Sequence, residues 1–390
     1  VTVSDDISSD RTFSSDSVYI LADRISVTSG ATLTINPGTI IKGEAGQGQN
    51  ATALIVASDG NIQAEGNANA PIIFTSIADE IQPSDVAAGN FGSPNLSPTQ
   101  SGLWGGVLIL GNAPISADNE TVQIEGIPAS DATGQFGGTD ATQNQGVFKY
   151  VSIRHGGSDI GEGNEINGLT LGGVGSGTTI DHIEIVANQD DGLECFGGSV
   201  NVSHVMVWNQ RDDAYDMDQA YTGTVDNFIG VAGPNSDHAF ELDGPEGTST
   251  GTYTLSNGTL RGFFSGDDST GGEYADLRDG ATTNLNNIYF YNFGTNSDFE
   301  LDDDAASQAV KDGETIFSSI EINVSHLNDG NKTLAEIFLD KSDLGGAFSE
   351  VEPSSFASIV TTPTVGADKS ELTGWTWAAQ ATNDFADLGL

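Results

Sequence analysis

Five carboxylates recur in one setting: Leu193-Glu194-Cys195, Tyr215-Asp216-Met217, Phe240-Glu241-Leu242, Ala275-Asp276-Leu277 and Phe299-Glu300-Leu301. Along a strand, alternation sends the flanking apolar side chains to one face and the central carboxylate to the other. If successive segments stack, these acids form a file with a spacing of about 4.8 Å. Two unit charges that close repel by about 0.9 kcal/mol in bulk water and about 3.5 kcal/mol at an effective dielectric of 20. Such a file needs raised pKa values, pairing with bases, or bound cations. Two positions further on, Phe196, Asp218, Asp243, Arg278 and Asp302 make a second file, and Asp190, Asp191, Asp212, Asp213 and Asp237 lie just upstream.

Clustered carboxylates near backbone carbonyls suit a hard ion such as Ca²⁺, which takes six to eight oxygens at about 2.3–2.6 Å. The expected metal-binding set is Glu194, Asp216, Asp218, Glu241, Asp243, Asp276, Glu300 and Asp302, with Asp216, Asp218, Glu241 and Asp243 best placed between adjacent coils. Oxygen ligands also serve Mg²⁺ and Mn²⁺, and no EF-hand or nonapeptide calcium motif is present to choose among them. The same residues set out a catalytic alternative. Asp216 with Glu241, or Asp218 with Asp243, could flank a glycosidic bond at the roughly 5–9.5 Å separation that glycoside hydrolases use. Arg278 is the one basic residue in the ladder and hence the candidate base of a polysaccharide lyase. Any stacked acidic ladder produces such pairs by geometry alone, so no catalytic residue is assigned.

The elements that must position these acids show as a repeat. Ile180-Asp181-His182-Ile183, Val202-Ser203-His204-Val205, Val225-Asp226-Asn227-Phe228, Leu255-Ser256-Asn257-Gly258, Leu285-Asn286-Asn287-Ile288 and Phe317-Ser318-Ser319-Ile320 align, with Phe148-Lys149-Tyr150-Val151 as an earlier member. Spacings of 22 to 32 residues identify one solenoid coil per repeat. An apolar residue, a polar pair and then alternating apolar residues read as a corner followed by a strand, where stacked polar side chains satisfy the backbone of the bend. His182 and His204 are therefore expected in the corner ladder rather than as catalytic bases. Cys195 falls in the file Cys195/Met217/Leu242/Leu277/Leu301, a core position that makes a reactive thiol improbable.

The fold class expected is all-β: a right-handed parallel β-helix over residues 1–330, with irregular loop insertions at 77–101 and 116–147 that could roof a cleft. Residues 29–41, 54–56 and 71–74 supply the first coils, and Leu103 to Leu110 reads as a buried strand pair with a glycine bend. Residues 331–390, including a short helix near 333–340, are expected to form a C-terminal cap packing on the solenoid, since exposed coil ends invite end-to-end pairing. Exposed Trp208, Tyr221 and Tyr274 are candidate stacking platforms for sugar.

Composition limits the partners. A formal net charge of −44, from 56 Asp plus Glu against 12 Lys plus Arg, repels nucleic acid and anionic membranes. No apolar run reaches the roughly 20 residues of a membrane span. One cysteine excludes an internal disulfide, and a chain starting at Val1 fits a processed secreted product. Asn201 and Asn257 head glycosylation sequons.

The blocks Ser101-Gly102-Leu103-Trp104-Gly105-Gly106 through Ile115, Glu165-Ile166-Asn167-Gly168-Leu169-Thr170-Leu171-Gly172-Gly173 through Thr178, and Gly374-Trp375-Thr376-Trp377-Ala378 resemble a secreted or outer-membrane-anchored β-helix family of marine and gut Bacteroidota. The resemblance spans nearly the whole chain and implies the fold and an extracellular or cell-surface location. The expected function is non-enzymatic: a surface β-helix binding Ca²⁺ and a glycan or protein partner. The alternatives are a polysaccharide lyase or glycoside hydrolase working in the acidic ladder, and a homo-oligomeric fibre or surface-layer subunit.

Overall fold

A computed structural model describes residues 1–159, 164–266, 272–327 and 332–390. The chain winds as a parallel β-helix. One sheet runs Arg24–Val27, Ala53–Val56, Val107–Leu110, Leu169–Gly172, Leu193–Phe196, Tyr215–Asp218, Phe240–Asp243, Ala275–Arg278, Phe299–Leu301 and Phe338–Asp340, each strand paired in parallel with the next. We call it the short sheet. The long sheet takes the other half of each coil, through Gly146–Arg154, Thr179–Val186, Val202–Trp208, Thr224–Val231, Tyr253–Arg261, Thr283–Tyr291 and Ile316–Asn323.

Each long strand is bent at one residue. Tyr150, His182, His204, Asn227, Asn257, Asn287 and Ser319 all adopt a left-handed conformation with φ between 50° and 58°. The pairing register skips them: Asp181 faces Ser203 and Ile183 faces Val205. Asn tolerates this region because its short amide can bond locally, and the amides chain together, Asn287 Nδ2 donating to Asn257 Oδ1 (3.2 Å) and Asn257 Nδ2 to Asp226 Oδ1 (2.7 Å). The Asn257 sequon is thus spent on the ladder. The corner expected from the repeat stands here, with His182 and His204 as members.

The core fills the space between the sheets. Leu193, Tyr215, Phe240, Ala275 and Phe299 stack inward from the short sheet against Phe228, Leu260, Phe290 and Phe317 of the long one. Cys195 is fully buried in this core, where burial pushes its thiol pKa up. Alkylating reagents are expected to leave it unmodified in the native protein and label it only after denaturation, as intact mass will read. Three aromatics expected at the surface are inside. Trp208 is covered by Trp377 (ring centroids 6.1 Å apart), the Tyr221 hydroxyl donates to Val200 O (2.5 Å), and Tyr274 stacks on Phe293 and Phe299. The 103–110 segment gives one strand, Val107–Leu110, while Trp104 is buried with its Nε1 donating to Arg154 O (2.8 Å).

Both excursions carry some structure of their own. Residues 77–101 contain the short helix Pro83–Ala87, and 116–147 contain a hairpin of Val122–Gln123 with Gln135–Phe136. The boundary expected at 330 falls within the coils. The helix expected near 333–340 is only Leu334–Ile337, because Phe338–Asp340 then pairs with Phe299–Leu301, and Ala357–Ile359 adds a last strand to the long sheet. Residues beyond 360 do not sit over the end. They run back along the outside of the long sheet, where Thr364 N donates to Glu321 (2.6 Å), Asp368 N to Asn227 (2.6 Å) and Ala378 N to Glu184 (2.8 Å), and Gln380 accepts from Phe91 N (2.8 Å). Leu372, Trp375, Trp377 and Phe385 bury themselves there against Ile73, Val186, Met206, Ile229 and Phe91. We call this segment the strap.

Candidate metal-binding cleft

The register aligns Thr170, Glu194, Asp216, Glu241, Asp276 and Glu300 across the short sheet, so the acidic file exists as one column on its outer face. Leu339 ends it. A second column, two residues upstream of each strand, consists of Asp191, Asp213, His238 and Glu273. Its members hold consecutive coils together: Asp191 Oδ1 accepts from Asp213 N (2.9 Å), and Asp213 Oδ1 from His238 N (2.6 Å). Both columns border a cleft of about 260 Å³, into which the 116–147 excursion also brings Glu125.

The few bases divide the acids into groups. Arg278 binds Glu241, reaches Asp243 through Nε (2.6 Å) and lies 3.8 Å from Asp276. Lys341 binds Glu300 and lies 3.5 Å from Asp298. His238 Nδ1 meets Asp213 (2.9 Å); burial opposes the charge on its ring, but Asp213, Asp237 and Asp276 together outweigh burial and raise the pKa to about 9. Asp302 is exposed, outside the cleft. Among the described residues, Asp191, Glu194 and Asp216 form no ion pair with a base. These three are buried, and each presents a carboxylate oxygen within 4.8 Å of the others'.

This triad is where charge is left over. Burial, reinforced by neighbouring carboxylates, pushes Asp191, Glu194 and Asp216 well above the usual range. It also raises Glu125 and Asp218 to about 7 and Asp190 and Asp243 to about 8. Asp216 and Glu194 present oxygens within 4.8 Å of each other, a separation at which two buried carboxylates call for a proton or a cation between them. Asn167 Nδ2 donates to Glu194, while Asp216 Oδ1 and Asn167 Oδ1 are buried without hydrogen-bond partners among the described residues. Buried acceptors lacking donors, beside anions lacking bases, fit a hard divalent cation.

The eight acids expected to bind metal therefore fall apart. Glu194, Asp216, Asp218, Glu241 and Asp243 share the cleft, but Glu241 and Asp243 are occupied by Arg278. Asp276, Glu300 and Asp302 lie beyond it. Asp191 and Glu125 complete the cleft instead. The Asp191 column was visible as an acid or His at a fixed offset before each strand, whereas nothing in the sequence links Glu125 to the ladder. For catalysis, the Arg278 guanidinium is engaged by Glu241, Asp243 and Asp276 rather than turned free toward a substrate.

Fold and site together define a parallel β-helix with an acidic cleft on one sheet. The sequence matches the family described as a pectate-lyase-like β-helix domain over residues 5–379, and the chain belongs to that family. It matches no curated protein and no solved structure significantly. The family ties the fold to carbohydrate-related proteins, and no helix among the described residues is long and apolar enough to cross a membrane.

Proposed function

We propose that the protein is a non-enzymatic β-helix of the cell surface that binds Ca²⁺ through Asp191, Glu194 and Asp216 and, through that cation, a glycan. The observation that carries this is the buried carboxylate triad, which among the described residues has no base and leaves Asp216 Oδ1 unpartnered. Asp218 and Glu125 stand beside it to complete an oxygen shell or to accept from sugar hydroxyls. With Trp208, Tyr221 and Tyr274 buried, the contact is polar rather than stacked. An extracellular setting suits the −44 charge, which free calcium would screen as well as occupy.

Polysaccharide arrays probed in Ca²⁺ and in chelator test the reading. Calcium-dependent retention, lost in Asp216→Asn, is the expected result; equal retention in chelator, or none in either, overturns it. A hydrolase is the second reading, favoured by Glu125 and Asp218, whose pKa values near 7 suit a general acid. New reducing ends from a retained polysaccharide, abolished by Asp218→Asn, would establish it over the first.

A further inference from the structure

Beyond the acidic cleft, the last coils of the short sheet border a second cavity, of about 380 Å³. The turn before Phe299–Leu301 brings Asp298 to its wall, and the segment around the short helix Leu334–Ile337 brings Lys332 and Glu336, with Leu327 and Leu339 as apolar lining. The volume falls in the range of about 300–1,000 Å³ that small-molecule sites occupy. Asp298 is buried, and its Oδ1 has no hydrogen-bond partner among the described residues. Lys341 lies 3.5 Å from that oxygen but bonds to Glu300.

Lys332 differs from the other lysines in its surroundings. Its Nζ donates to Ser297 O and lies 5.9 Å from the centre of the Tyr274 ring, and no carboxylate among the described residues is within ion-pair distance of it. Burial lowers its pKa against the pull of Asp298, Glu273 and Glu336. Lys149 is instead paired with Asp181, and Lys341 with Glu300; the Asp181 bond raises the first, and the carboxylates around the second outweigh burial and raise it too. Lys42 is sealed in the interior with its Nζ on Asp79 O. Lysines that form imines are amines desolvated at the wall of a pocket, where the free base meets the carbonyl.

We propose that Lys332 is a carbonyl-reactive amine and that its cavity takes a small α-hydroxyaldehyde, the class to which the open-chain form of a reducing sugar belongs, with the carbonyl carbon on Nζ and the hydroxyl donating to Asp298 Oδ1. The ammonium gives one proton to water. The nitrogen lone pair then forms the C–N bond while the carbonyl π pair moves to oxygen, which is protonated. The carbinolamine loses that oxygen as water and leaves a C=N bond, so amine and aldehyde give imine and water with nothing oxidised or reduced. Once protonated, the imine keeps one N–H for Ser297 O, and Asp298 and Glu336 stabilise its charge. The hydroxyl supplies the donor that the buried Asp298 Oδ1 lacks.

The test exposes the full chain at neutral pH to glycolaldehyde or to propanal, each with cyanoborohydride to fix the imine, and reads every lysine by peptide mapping against time. Glycolaldehyde is expected to label Lys332 roughly tenfold or more faster than Lys149, Lys311, Lys341 and Lys369. The ratio of glycolaldehyde to propanal rates should be higher at Lys332 than at the exposed Lys369, and Asp298→Asn should bring the two ratios together. Labelling of Lys332 no faster than of the other lysines in the native protein overturns the proposal whether or not the variant folds. A rate ratio at Lys332 equal to that at Lys369 in the native protein overturns it as well, by showing that no group in the cavity recognises the hydroxyl.

Discussion

Glu184→Leu is expected to destabilise the protein by about 3–5 kcal/mol, the usual cost of leaving one partner of a buried ion pair alone. Glu184 and Arg154 are both fully buried under the strap. Arg154 Nε donates to Ser152 Oγ (2.7 Å), Ser152 Oγ to Glu184 Oε2 (2.5 Å), and the guanidinium lies over Trp377 at 5.1 Å. Glu184 Oε1 accepts from Ala378 N of the strap. Leu would leave the guanidinium without an anion and the Ala378 amide without an acceptor. At about 2 cal/mol/K per residue, a chain of this length loses about 1.2 °C of Tm per kcal/mol, so a drop of about 4–6 °C is expected by calorimetry. Glu184→Gln keeps one acceptor oxygen for the Ala378 amide and turns an NH2 toward Ser152 Oγ, which can accept, so it should cost less. Arg154→Met combined with Glu184→Leu should recover part of the loss, because no charge is then stranded. If Glu184→Leu melts with the native protein, the strap is not anchored through this pair.

The periodic half of the structure was legible because every coil repeats the same inward residues. Leu193, Tyr215, Phe240 and Phe299 have to be apolar, and the alternation that buries them in the core fixes Glu194, Asp216, Glu241 and Glu300 on the other face of the sheet. The corner showed as a polar pair in each repeat, with Asn at 227, 257 and 287, for an equally local reason, and the structure adds its left-handed backbone. What could not be read is set by reach and by return. Arg278 belongs to one strand, yet its long side chain spans Glu241, Asp243 and Asp276, and this assignment leaves Asp191, Glu194 and Asp216 without a base among the described residues. The burial of Trp208 depends on Trp377, brought back by a strap that carries no repeat of its own. Glu125 arrives on an excursion whose path periodicity does not encode.

Asp216→Asn is expected to reverse sign with conditions. In chelator the substitution removes a buried carboxyl that faces Glu194 and Asp191, so the variant should melt above the native protein at neutral pH. In Ca²⁺ it should melt below, having lost an oxyanion ligand. Ca²⁺ at 100 times Kd adds about 2.7 kcal/mol, which for this chain is about 3 °C, and the variant should show little of that gain. The pH dependence follows from the same groups. Their folded pKa values lie above the unfolded ones near 4, so the folded state holds protons that the unfolded state releases. Stability in chelator must then fall as pH rises from about 4, through Glu125 and Asp218 near 7, to Asp190 and Asp243 near 8. Saturating Ca²⁺ replaces those protons, so the decline should flatten and binding at pH 7 should release protons, measurable as a calorimetric enthalpy that varies with the buffer's ionisation heat. A chelated protein whose Tm rises across pH 5 to 8, or an Asp216→Asn variant less stable than the native protein in chelator, would mean that the cleft's carboxylates find compensation within the chain and that no cation is needed to neutralise them.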